Sequence, residues 1–122
     1  MAIFESEPEG PAFLDAISRA DGALISAPTR LEAFVVVARR YGADETGAME
    51  ALITKLLLVT EPFDEAVLET ARDAYRTFGH GGHGGHGLNY GDCFSYALAR
   101  ARDLPLLFKG DDFAATDVKR AI

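Results

Sequence analysis

Apolar positions along the chain fall into short continuous runs separated by longer stretches with helical spacing, and the two alternate. In residues 5–19, Pro11, Phe13, Leu14 and Ile17 follow an acidic, proline-containing start at near-helical spacing, which predicts a first helix closed by Asp21-Gly22. ALIS at 23–26 has the length of a buried strand. Thr29 and Glu32 then stand three apart ahead of AFVVV at 33–37, the spacing of a capping box, with Pro28 near a favoured first-turn position. A second helix is expected from there to about Tyr41, closed by Gly42. Residues 45–57 predict a third, with Met49, Leu52, Ile53 and Leu56 on one side. LLVT at 57–60 reads as another strand stopped by Glu61-Pro62, and residues 64–78 as a helix with Ala66, Val67, Ala71, Ala74 and Tyr75 on its apolar stripe.

The stretch 88–113, LNYGDCFSYALARARDLPLLFKGDDF, reads as a loop, a helix beginning near Asn89 or Tyr90, a strand at 105–108 and a turn carrying Asp111 and Asp112. Strands alternating with helices imply an α/β fold, a mostly parallel sheet flanked by helices. No internal repeat or linker divides the chain, so residues 1–122 are expected to form one domain.

Composition narrows the function classes. A net charge of −7 argues against broad electrostatic adhesion to nucleic acid, which draws on a basic surface. A metal site must itself be acidic, however, and a bound cation reverses the local field. A basic partner would suit this surface. No apolar run has the length of a bilayer span and no basic-then-apolar leader opens the chain, so no membrane association and a cytoplasmic location are expected. Cys93 is the only cysteine, which rules out an internal disulfide.

The acids carry the candidate chemistry. Asp92 falls in the first turn of its helix, where the partly positive N-terminus favours an anion. Asp111 and Asp112 come after the carboxyl end of the expected strand at 105–108, the edge at which open α/β sheets bind ligands. Oxygen donors gathered at one point suit magnesium or manganese. Such an ion lowers the pKa of a bound water and neutralises charge on a phosphodiester. Each acid also has a plainer reading: Glu32 as a helix cap, Asp92 as a helix-terminal acid, Asp111-Asp112 as a polar turn, Asp117 as a cap for the C-terminal segment. Cys93 stands at a helix N-terminus, where a thiol can be activated, but the next turn is apolar and no base is placed beside it, so it reads as a small packing residue. The tract GHGGHGGHG at 79–87 is a compositional metal candidate through His80, His83 and His86, yet it holds no Cys or carboxylate to complete a tetrahedral site and reads as a loop.

Three segments, ISAPTRLE at 25–32, LNYGDCFSYA at 88–97 and LLFKGDDF at 106–113 with Thr116-Asp117 behind it, resemble in order, spacing and identity the PIN-domain ribonucleases, and within them the toxin subunits of VapBC-type toxin–antitoxin pairs. The resemblance covers nearly the whole chain. It implies a PIN-like three-layer α/β fold and hydrolysis of RNA with Mg2+ or Mn2+ as cofactor. Asp92, Asp112 and Glu32 would be the metal-binding and catalytic acids, with Asp111 nearly level with Asp112. It also implies a cognate antitoxin, an RNA substrate with transfer RNA the first to test, and a homodimer. In the family the loop matching the histidine tract is often basic, so His80, His83 and His86 would supply weak, pH-dependent phosphate contacts. The family begins with a strand ending in a metal-binding aspartate, whereas MAIFESEPE at 1–9 resembles the segment that comes directly after that strand. The first strand and its acid are therefore expected to be missing here. Two functions stand open: a ribonuclease toxin, or a catalytically weak or inactive remnant that binds an antitoxin or a second copy of itself.

Overall fold

Two of the short apolar runs pair as a parallel sheet. In the computed structural model, which describes residues 1–79 and 87–122, β1 (Ala23–Ser26) lies beside β2 (Leu58–Glu61) in parallel, with Ala23 opposite Leu58 and Ser26 opposite Glu61. Parallel strands require a crossover, and the intervening helices α2 (Ala27–Tyr41) and α3 (Thr46–Lys55), joined by a 3-10 turn at Ala43–Glu45, supply it. This is the α/β arrangement expected from the alternating pattern. The chain divides into two compact units, Met1–Glu61 and Pro62–Ile122, each with its own core.

In the first unit, Val37 of α2 and Met49 and Ile53 of α3 form the buried centre, with Phe4, Ala33 and Leu58 packed against it. Arg30 ties the elements together: its guanidinium donates to the Glu50 carboxylate on α3 and, at 2.8 Å, to Thr60 Oγ1 on β2. Helix α1 (Gly10–Arg19) starts five residues later than the pattern suggested. Pro8 and a left-handed Ser6 (φ 54°) keep residues 1–9 in turns instead, and Pro11 sits in the first helical turn, where its missing N–H costs nothing. Glu5 in that turn segment accepts from Arg40 Nη1 at 2.7 Å and Tyr41 Oη at 2.8 Å, which fastens it to the end of α2.

The second unit is built on α4 (Glu65–Phe78) packed against α5 (Tyr90–Arg102). Its core joins Ala71 and Ala74 of α4 to Leu88 and to Cys93, Tyr96 and Ala97 of α5, closed by Phe108 and Phe113. Of the expected α4 stripe, Ala71 and Ala74 are buried and Val67 is half-buried, whereas Ala66 and Tyr75 face solvent. The strand expected at 105–108 is corrected: Leu106 alone makes a parallel bridge, to Arg120, donating its N–H to Lys119 O at 2.8 Å and accepting from Ala121 N–H at 2.9 Å. Pro105 has no N–H to extend the ladder, and Gly110 (φ 88°) turns the chain soon afterwards. Among the described residues no helix is long and apolar enough to cross a membrane, and the sheet has two strands.

Candidate active site

Helix α5 begins with a capping box, and Asp92 is half of it. Asn89 Oδ1 accepts the Asp92 N–H at 2.8 Å while Asp92 Oδ2 accepts the Asn89 N–H at 3.0 Å, so two orphan donors of the first turn are satisfied reciprocally. The exchange fixes the carboxylate at the helix tip instead of leaving it to swing in solvent. The capping box read at Thr29 and Glu32 is not the one that forms. Helix α2 follows β1 without a break, Ser26 is its N-cap, and Pro28 already lies in the first turn, so Glu32 falls in the second turn, exposed.

Asp112 stands close enough to Asp92 for its charge to be felt. Burial pushes the Asp92 carboxyl above the ordinary carboxylate range, the hydrogen bond from the Asn89 N–H opposes that shift, and repulsion from Asp112 adds to it. Asp112 is half-buried, held beside a turn whose anchor is Phe113, packed at 5.2 Å between ring centroids on Phe108. Asp111 is exposed on the same turn. Thus Asp92 and Asp112 lie in the second unit within electrostatic reach of each other, Asp111 stays at its surface, and Glu32 belongs to the first unit. Among the described residues no three His, Cys, Asp or Glu side chains gather closely enough to hold a metal ion.

As a donor set, Asp92 and Asp112 offer carboxylate oxygens and no sulfur or imidazole, which fits a hard divalent cation that keeps several of its waters. A bound cation would relieve the repulsion between them. Cys93 offers nothing comparable. Its thiol donates to Asn89 O at 3.2 Å, and burial, with Asp92 adding, pushes its pKa up, so the thiolate is disfavoured and the residue packs in the core. The tract His80, His83 and His86 lies outside the described residues.

Asp117 does not cap the C-terminal segment. The Tyr96 hydroxyl donates to its Oδ1, and Arg100, one turn further along α5, approaches its Oδ2 at 3.6 Å. Burial, then the carboxylate, pushes the Tyr96 hydroxyl up to about 12, so it remains a donor throughout the neutral range. Sequence reasoning missed this pair, although Tyr96 and Arg100 stand at the i,i+4 spacing that puts two side chains on one helix face.

The family model for the PIN domain matches residues 1–119. Ribonuclease VapC28 of Mycobacterium tuberculosis is 41% identical over 122 residues, covering 100% of this chain and 92% of that protein. Ribonuclease VapC30 of the same organism is 39% identical over 120 residues, covering 97% and 89%. Among solved structures, the sarcin-ricin loop cleaving toxin VapC20 of Mycobacterium tuberculosis superposes with a TM-score of 0.71 at 18% identity, over 96% of this chain and 88% of that one, and so shares its fold. With a family model spanning nearly its whole length and full-length relatives at this identity, the chain belongs to the PIN-domain family, in its VapC ribonuclease branch.

Proposed function

We propose that the chain is the toxin of a VapBC-type pair and hydrolyses RNA phosphodiester bonds with a magnesium or manganese ion held by Asp92 and Asp112. The observation that carries the reading is that Asp92, fixed at the tip of α5 by its capping box and raised in pKa chiefly by burial, also feels the charge of the half-buried Asp112. Partly buried carboxylates that feel one another's charge are a common feature of functional sites and fit a bound cation. When bound, the ion would supply a water of lowered pKa and offset the charge that develops on the phosphate. Asp92, fixed by the Asn89 N–H, orients that site, and Asp112 contributes the second anionic oxygen. Glu32 and Asp111 remain in the proposal as further acids for the ion or for the attacking water, Glu32 in the second turn of α2 and Asp111 beside Asp112.

Family membership supports the rest of the reading: an antitoxin that neutralises the chain, transfer RNA as the first substrate to try, a homodimer, a cytoplasmic setting, and one domain over residues 1–122. A net charge of −7 suits a partner with basic segments. The second reading, a binding module without catalysis, is favoured by the absence of a third gathered acid among the described residues. One experiment separates the two. The purified protein is incubated with total transfer RNA in EDTA, then with magnesium or manganese restored. Cleavage that stops in EDTA and returns with either ion supports the nuclease. Cleavage that survives EDTA removes the metal, and no cleavage under any ion leaves the binding module.

A further inference from the structure

Tyr90 opens α5 two residues before Asp92 and is 80% exposed. Single exposed apolar residues are ordinary on protein surfaces. This ring differs from them in being braced. Its edge meets Phe94 one turn along α5, with centroids 4.9 Å apart and planes at 78°, and Phe94 in turn meets Phe63, just ahead of α4, at 5.2 Å and 86°. The three aromatics form a ladder from the second unit's interior to the helix tip, fixing the orientation of Tyr90 while leaving most of its surface in water. Neither its hydroxyl nor its ring has a role in the core, and the sequence pattern assigns it none.

We propose that Tyr90 is a stacking platform for an unpaired base of the RNA, positioning the strand so that a phosphate lies at Asp92 and Asp112. The proposal rests on the ribonuclease reading. Residues two apart on a helix leave it about 200° apart, so Tyr90 and Asp92 flank the tip on opposite sides at a separation near the ~10 Å width of a helix. The stacked base therefore belongs to a nucleotide beside the scissile phosphate. Every base presents a π-face, so the platform selects single-stranded over paired RNA without reading sequence. A pre-braced ring suits this acidic chain, because stacking gains affinity without a cation and loses little rotamer freedom on binding.

The test measures binding by fluorescence anisotropy with the whole chain carrying Asp92→Asn, which slows turnover. The probes are a fluorescein-labelled single-stranded RNA of mixed sequence and the same RNA annealed to its complement. Tyr90→Ala is expected to weaken single-strand binding by about 5- to 100-fold, with Tyr90→Phe and Tyr90→Trp retaining it within about 2-fold and Tyr90→Leu behaving like Tyr90→Ala. The annealed probe should bind more weakly than the single strand and be indifferent to these changes. Equal binding by Tyr90→Ala and its parent overturns the proposal, as does full rescue by Tyr90→Leu, since a plain apolar contact needs no ring. Cleavage with manganese in the Asp92 background distinguishes the two ideas. If the chain cleaves and Tyr90→Ala cleaves equally well at low RNA, the platform fails and the nuclease stands. If RNA binding depends on the ring but nothing is cleaved, the platform stands and the nuclease fails.

Discussion

Asp92 closes the end of a helix with the same carboxylate that is proposed to hold the cation, and the two tasks pull its energetics in opposite directions. Its folded-state pKa is raised, first by burial and then by Asp112, while the unfolded chain titrates at the ordinary value near 3.9. Stability from this group is therefore complete below that ordinary value and is lost as pH rises through the folded pKa, so ionised Asp92 is a burden on the metal-free fold at neutral pH. Asp92→Asn keeps an acceptor for the Asn89 N–H and removes the charge. In metal-free buffer it should raise the melting temperature at neutral pH, and the gain should shrink toward zero as pH falls into the ordinary carboxylate range. Calorimetry across that range checks the sign; a variant less stable than the parent at neutral pH would show that the charge is favourable. The position of Asp92 in a first turn was legible from sequence, but its Asn89 partner was not. The capping signature was read at Thr29 and Glu32, because nothing local reveals that β1 runs straight into α2 and moves the helix start back to Ala27.

Element boundaries failed where the backbone overrode the pattern. LLVT at 57–60 was read as a strand, yet Leu57 is a left-handed terminator of α3 (φ 56°), 80% exposed, and β2 begins one residue later. A leucine there bears the steric cost of the left-handed region and buries little in return. Leu57→Gly should stabilise the fold by about 0.5 to 1 kcal/mol, read as a shift in denaturant midpoint at unchanged slope. The reverse holds at Gly79, where α4 ends and its N–H bonds to Tyr75 O at 2.8 Å. A Cβ on Gly79 would stand 2.4 Å from that carbonyl oxygen. Gly79→Ala should therefore cost about 1 to 3 kcal/mol in the same unfolding measurement, and a neutral result would mean that the helix end relaxes freely. The strand read at 105–108 survives as one bridge because alternation and apolar character say nothing about which segment will offer the partner backbone, here 119–121.

At the scale of the whole molecule, the α/β class was legible from the alternation of runs, and family membership from three motifs whose order and spacing cover almost the full chain. The convergence of acids was legible only in part. Asp92 and Asp112 are twenty residues apart in sequence, and the charge of one reaches the other only because of the turn at Gly110 to Phe113, which no periodicity announces. The central claim is that these two carboxylates bind the ion that cleavage requires. Its most direct test is the rate of RNA cleavage as a function of manganese concentration for the parent, Asp92→Asn and Asp112→Asn, each confirmed folded by its melting transition. Loss of one anionic ligand should raise the manganese needed for half-maximal rate by at least about tenfold and lower the saturated rate on the order of 100-fold, in both variants. Unchanged manganese dependence in either folded variant would contradict the assignment.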